Sequence, residues 1–145
     1  MSRTDDTYTD VSTIAANANA SKADYFVALH RNSADAAAAT GIEVLICSKA
    51  SQTAREMAEA ILARVVGVGG SNRGVKVQDY RTTVLQKTTM LACTVELLFI
   101  SNSNDNAMFD SKFNDYAQAI AKGICDIAGD SGTGGIVVKN GWIQE

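Results

Sequence analysis

The sequence predicts one α/β domain in which a mixed, mostly parallel sheet is flanked by helices. Apolar runs at residues 24–29, 42–47 and 90–100 are typical of buried strands. Residues 51–66 and 111–128 instead carry apolar side chains at three- and four-residue spacing, which predicts amphipathic helices. Strands alternating with helices are typical of layered α/β folds. A length of 145 residues with 46% hydrophobic residues is sufficient for one core.

In the first half of the chain, a short helix is predicted over residues 10–21, with Thr9 or Asp10 as its N-cap. The near-continuous apolar run at 24–29 predicts a central buried strand, and an Ala-rich connection then leads to a turn at Gly41. The next strand is predicted at 42–47.

In the second half, the helix at 51–66 is predicted to begin after Ser51 and to end at a group of glycines, Gly67, Gly69 and Gly70. We expect a polar loop at 72–76, a short strand at 82–85, the long strand at 90–100, a loop at 101–106 and a helix at 111–128. Residues 129–135 are rich in glycine and small polar residues, which predicts a linker. The chain thus divides into a domain at 1–129 and a linker with a short tail at 130–145.

Composition narrows the function classes. The net charge is −3 and the basic residues are scattered, which argues against nucleic-acid binding. No apolar stretch reaches the roughly 18 residues of a membrane helix, and the polar N-terminus does not resemble a signal peptide, so we expect no membrane insertion and cytoplasmic synthesis. Three cysteines in apolar contexts, without metal-site spacing, predict free buried thiols: Cys47, Cys93 and Cys125.

Two residues stand out as candidates for chemistry. Glu96 lies inside an apolar strand, where a carboxylate needs a cationic partner or acquires a raised pKa. His30, the only histidine, ends another apolar strand. Together they suggest a metal or acid–base site. The alternatives are that His30 is a packed strand-end residue and that Glu96 is a structural acid paired with Arg73 or Lys76.

Four segments together resemble one family, the zinc-dependent N-acetylmuramoyl-L-alanine amidases, which include cell-wall autolysins and phage endolysins. The segments are residues 22–33 with the strand that ends at His30, 41–44 with the following strand, 72–76 with the polar loop, and 95–102 with the strand of Glu96. Residues 1–6 resemble the end of an earlier strand. The resemblance covers residues 1–129.

This resemblance implies an amidase-like three-layer fold and hydrolysis of the amide bond between N-acetylmuramic acid and L-alanine in peptidoglycan. It implies that His30 is a Zn²⁺ ligand and that Glu96 moves the proton. It further implies substrate contacts from Asn32, Asn72 and Arg73. Action at the cell wall, outside the cell, is the corresponding expectation, with phage-encoded release as one route.

The chain also departs from the family pattern. Family members have two zinc histidines and a zinc glutamate, whereas this chain has one histidine and resembles the domain without its N-terminal strand and helix. Leu91 and Leu98 stand where proline and glycine are common. Three hypotheses remain: an amidase completed elsewhere, an inactive peptidoglycan-binding fragment, or a subunit of a split enzyme. An uncovered sheet edge also predicts self-association or pairing with a missing N-terminal segment.

Overall fold

A computed structural model describes residues 7–129 of the chain. It contains five helices and four strands within that range, together with a short 3₁₀ turn at Asp79–Arg81. In chain order they are α1 (Val11–Ala20), β1 (Tyr25–Asn32), β2 (Ile42–Ile46), α2 (Gln52–Val68), β3 (Asn72–Val77), α3 (Thr83–Lys87), β4 (Leu91–Phe99), α4 (Ser103–Ser111) and α5 (Phe113–Ala128).

The four strands form one sheet in the order β1-β4-β2-β3. β1 pairs with β4 in parallel, β2 pairs with β3 in parallel, and the central pair β2 and β4 is antiparallel. The mixed, mostly parallel sheet predicted from the sequence is therefore confirmed. Because β2 and β4 run in opposite directions, the C-terminal ends of β1 and β4 meet the N-terminal ends of β2 and β3 at one edge of the sheet.

Helices cover both faces of this sheet, which gives three layers. The larger core packs α2 and α5 against one face, with Val44, Ile61, Val95 and Tyr116 among its buried side chains. On the other face, α3 contributes Leu85 to a smaller cluster, and α1 packs mainly on α3. The α/β class follows directly from the apolar runs and helical periodicities of the sequence.

The position of β1 differs from the prediction. The run of apolar residues indicated a central buried strand, but β1 is an edge strand of the described sheet. Seven of its eight residues are only half-buried, and Asn32 alone is buried. An apolar run cannot by itself distinguish a central strand from an edge strand whose outer neighbour is not among residues 7–129.

The secondary structure predicted for three other segments was also wrong. The expected polar loop at 72–76 is the edge strand β3, because an exposed edge strand tolerates polar side chains. The expected strand at 82–85 is helix α3, where packing of Leu85 outweighs the β-propensity of its neighbours. Most of the expected loop at 101–106 belongs to helix α4, which begins at Ser103. The Asn102 side chain caps this helix by accepting hydrogen bonds from the backbone N–H groups of residues 104 and 105.

The helix boundaries were predicted more closely. Asp10 caps α1 and Ser51 caps α2, as expected. Gly67, however, lies inside α2, which ends at Val68 with Gly69 as its C-cap, where φ is +152°. The predicted linker and tail at 130–145, like residues 1–6, lie outside the described residues.

The three cysteines are free, as expected. Cys47 and Cys93 are buried, and Cys125 is half-buried. Burial raises the pKa of Cys93 to about 12, so this thiol stays protonated at neutral pH. Among residues 7–129, no helix is both long and apolar enough to cross a membrane.

Candidate functional site

The two residues singled out in the sequence are direct neighbours in the sheet. His30 on β1 and Glu96 on β4 are register partners across the parallel pair. Register partners project from the same face, and neighbouring strands lie about 4.8 Å apart. Both residues lie toward the C-terminal ends of their strands, the usual location of sites in α/β sheets.

Glu96 is buried, with 4% of its surface exposed, and is paired with a cation. Arg81 Nη2 lies 2.9 Å from Glu96 Oε1. The sequence alternative named Arg73 or Lys76 as the cation, but both of these bind a different carboxylate. Arg81 instead reaches Glu96 from the turn between β3 and α3.

That second carboxylate, Glu43, was not identified from the sequence. It is the register partner of Glu96 on the antiparallel strand β2 and is only 2% exposed. Its Oε2 accepts hydrogen bonds from Arg73 Nε at 2.9 Å and from Lys76 Nζ at 2.5 Å. The signal that singled out Glu96, an acid inside an apolar run, is equally present at 42–47 and could have identified Glu43.

Burial of Glu43 would by itself raise the pKa of its carboxyl group. The hydrogen bonds and charges of Lys76 and Arg73 outweigh burial, so its pKa lies below the usual value. Glu43 is therefore ionised at neutral pH, beside a second buried acid. Two adjacent buried carboxylates repel each other unless cations lie close to both.

Within residues 7–129, Arg81 is a cation that lies close to both acids. Its Nη1 lies 3.5 Å from Glu43 Oε1, and its Nη2 binds Glu96. The turn that carries Arg81 is held by Asp79, whose Oδ1 accepts from the Ser48 backbone N–H at 2.8 Å, and by the buried Thr82, whose hydroxyl donates to the Gln78 carbonyl at 2.7 Å. No sequence pattern indicates this contact, because it depends on how the turn folds back over the sheet.

The three residues expected to bind substrate lie at or near the same edge of the sheet. Asn32 is buried and engaged within the protein, since its Nδ2 donates to Glu43 Oε1 and its Oδ1 accepts from Arg81. Arg73 binds Glu43 and lies 4.9 Å from the centre of the Phe99 ring. Asn72 begins β3, is exposed, and accepts from the Gly74 N–H. Their contact with substrate stays a prediction.

A backbone irregularity follows Glu96 on its strand. The register between β1 and β4 shifts between His30 and Asn32, and Leu98 has a φ of +63°. A left-handed backbone at a non-glycine residue is strained. The Leu98 side chain is fully buried, with its Cδ2 beside Gly70.

The described residues do not fit a complete zinc site. Among residues 7–129, no group of three His, Cys, Asp or Glu side chains is arranged to hold a metal ion. His30 offers one imidazole, while Glu43 and Glu96 are engaged by arginine and lysine side chains. A metal at this edge would need ligands from outside the described residues.

Comparison with known proteins agrees with this architecture. The family model described as N-acetylmuramoyl-L-alanine amidase matches residues 1–126. The crystal structure of such an amidase from Clostridium difficile 630 superposes with a TM-score of 0.80 at 30% identity, over 90% of this chain and 71% of that one. The catalytic domain of CwlV, an amidase from Bacillus (Paenibacillus) polymyxa var. colistinus, gives a TM-score of 0.79 at 30% identity, over 88% and 70% of the two chains.

The endolysin of Bacillus phage SPP1 is 32% identical to this chain over 133 residues, which covers 88% of this chain and 48% of the endolysin. The chain thus spans about half the length of that relative. The family match includes both His30 and Glu96 and extends over most of the chain. The chain belongs to the N-acetylmuramoyl-L-alanine amidase family.

Proposed function

We propose that this chain contributes the acid–base residue, Glu96, to an amidase site that hydrolyses the bond between N-acetylmuramic acid and L-alanine in peptidoglycan. The observation that carries the proposal is the register pairing of His30 with Glu96 in a chain of this family. The names of the relatives, an endolysin and several amidases, support the same substrate.

In this proposal Glu96 moves the proton. Hydrolysis joins a water oxygen to the lactyl carbonyl carbon and breaks the carbon–nitrogen bond to L-alanine. Glu96 accepts a proton from the attacking water and returns it to the departing nitrogen, which leaves as the free amino group of the alanine. Arg81 Nη2 holds this carboxylate at 2.9 Å.

Zinc is part of the proposal, with His30 as one ligand. Because the described residues lack a three-ligand set, the remaining ligands would come from outside residues 7–129 or from another chain. We use the term extended chain for this chain joined to a segment that carries a second histidine and a glutamate for the metal. Arg73 and Asn72, at the N-terminal end of β3, are the proposed substrate contacts that remain accessible, and Asn32 would contribute through its link to Arg81.

Among residues 7–129, no strand pairs with the outer edge of β1. We propose that a strand of the segment added in the extended chain pairs there, and that a second copy of the chain pairs there when that segment is absent. Sedimentation of the isolated chain tests this, and a strictly monomeric species at high concentration would contradict it. Action at the cell wall, after phage-encoded release or export, completes the proposal.

The test is hydrolysis of purified cell walls by the extended chain. The expected products are new amino-terminal alanine groups, without new reducing sugar ends. Glu59→Gln, at an exposed position on α2, is the matched control for Glu96→Gln. Release of reducing sugars instead of amino groups would show that a different bond is cut.

A further inference from the structure

Glu43, Asn32 and Arg81 form a closed ring of polar contacts beside Glu96. Asn32 Nδ2 donates to Glu43 Oε1 at 3.1 Å, and Arg81 Nη2 donates to Asn32 Oδ1 at 3.2 Å. Arg81 Nη1 closes the ring at 3.5 Å from Glu43 Oε1. The same Nη2 that binds Asn32 also binds Glu96. The direction of the guanidinium group toward Glu96 therefore depends on Glu43 and Asn32.

Glu43 is itself held in place from the other side. Its second oxygen, Oε2, accepts from Lys76 on β3 and from Arg73 at the start of the same strand. One oxygen thus faces two cations on the neighbouring strand, and the other faces the ring. A buried carboxylate with four polar partners has little freedom to rotate. Glu43 provides a fixed point from which Arg81 can be oriented.

Arg81 needs such a fixed point. It extends from a short turn, and about a third of its side chain is exposed. A long arginine side chain loses considerable rotamer entropy when a single partner orders it. The contacts with Glu43 and Asn32 supply the additional interactions that hold it in one direction.

We propose that Glu43 is a positioning residue that, through Arg81 and Asn32, holds the Glu96 carboxylate in one direction beside His30. The expected effect of Glu43 on catalysis rests on the proposed function, because the direction of Glu96 matters for turnover only if Glu96 acts as an acid and base. The geometric part stands independently of turnover. A misoriented acid–base residue can lower the rate of the chemical step by about 10- to 100-fold without weakening substrate binding.

The first experiment measures the geometry in the isolated chain by NMR. An arginine held by several acceptors shows separate, slowly exchanging Nη–H signals, and a held glutamate shows one set of rotamer couplings. Both signatures are expected for Arg81 and Glu96 in the unsubstituted protein. In Glu43→Gln we expect the separate Arg81 signals to be lost and the Glu96 couplings to average. Unchanged Arg81 and Glu96 signals in Glu43→Gln would overturn the proposal.

Asp126→Asn is the matched control. It makes the same carboxylate-to-amide change in another arginine pair, where Arg64 on α2 donates two hydrogen bonds at 2.8 Å to Asp126 on α5. The Arg64 signals should change in this variant while those of Arg81 do not. If Glu43→Gln does not fold, Asn32→Ala replaces it, since this variant opens the ring and leaves every charge in place. Retention of the held Arg81 signals in Asn32→Ala would then contradict the proposal.

The second experiment separates this inference from the proposed function. In the extended chain, Glu43→Gln should lower kcat for wall hydrolysis by about 10- to 100-fold, and any rise in KM through its contact with Arg73 should be smaller than the fall in kcat. Hydrolysis by the unsubstituted extended chain with an unchanged kcat in Glu43→Gln would overturn the positioning role and keep the function. No hydrolysis by the unsubstituted extended chain would overturn the function, and the NMR signatures would still decide whether Glu43 orients Glu96.

Discussion

His30 and Glu96 are register partners on the parallel strands β1 and β4, so their side chains leave the same face of the sheet side by side. They are 66 positions apart in the sequence. This relationship arises because β4 pairs with β1 on one side and with β2 on the other. It places a potential metal ligand next to a buried acid.

Replacement of Glu96 by glutamine should remove turnover and leave the fold intact. Glutamine has nearly the same shape and can still accept a hydrogen bond from Arg81, but it cannot take a proton. We expect kcat of the extended chain for wall hydrolysis to fall by about 10²- to 10⁴-fold. Turbidity loss of purified walls measures the rate, and the melting temperature checks the fold. A rate within a few-fold of the unsubstituted protein would exclude Glu96 as the proton carrier.

Replacement of His30 by alanine should remove both zinc and turnover from the extended chain. Loss of one ligand from a three-ligand site sharply weakens metal affinity, whereas Glu96→Gln should keep the zinc. Elemental analysis after dialysis measures the metal content of both variants. Stoichiometric zinc in His30→Ala would show that this imidazole is not a ligand. Removal of the metal with a chelator should likewise abolish hydrolysis, and added zinc should restore it.

Replacement of Glu43 by glutamine should destabilise the fold in a pH-dependent way. Burial raises the pKa of this carboxyl group, but the hydrogen bonds from Lys76 and Arg73 bring it below the ordinary value of 4.5. Because the pKa is lowered in the folded state, the carboxylate stabilises the fold above about pH 4.5. That contribution is lost as the pH falls through the folded-state pKa.

Urea unfolding measures this effect. At pH 7 we expect Glu43→Gln to lower the free energy of unfolding by about 1–3 kcal/mol, since its cationic partners are half-exposed and can return to water. The difference between the two proteins should shrink toward pH 3. A difference that grows on acidification would contradict the ion-pair account of Glu43.

Two glycines in helices should respond oppositely to alanine. A Cβ at Gly123 would lie 2.6 Å from Ile61 Cα, so Gly123→Ala should push α5 away from α2 and cost about 1–3 kcal/mol. A Cβ at Gly67 meets nothing within 4 Å, so Gly67→Ala should stabilise α2 by about 0.5–1 kcal/mol. Thermal unfolding of the two variants checks both signs. Equal effects would mean that the α2–α5 contact is looser than described.

The features predicted from sequence are those with a local cause. Apolar periodicity predicts helices α2 and α5. Ser51 marks the start of α2, and Gly129 marks the end of α5. The strand of Glu96 follows from its long apolar run. The edge position of β1 could not be predicted, because strand order depends on which distant segments pair.

The site was predictable only in part, for the same reason. His30 and Glu96 were identified from single unusual positions in apolar runs, and the family resemblance suggested their roles. Glu43 has an equally unusual position and could have been found. Arg81 could not, because its contact with both acids depends on the folding of residues 79–82 over the sheet. Arg73 and Lys76, which the sequence offered as alternative partners of Glu96, both bind Glu43.

The most direct test of the account is the release of amino-terminal alanine from purified cell walls, measured together with bound zinc, for the isolated chain and the extended chain. We predict that the isolated chain binds zinc weakly and releases no alanine amino groups at a useful rate, since the described residues supply no three-ligand site. The extended chain should hold zinc and release alanine amino groups in a manner that requires Glu96. Hydrolysis by the isolated chain with stoichiometric zinc, or an extended chain that holds zinc and leaves the amide bond intact, would contradict the account.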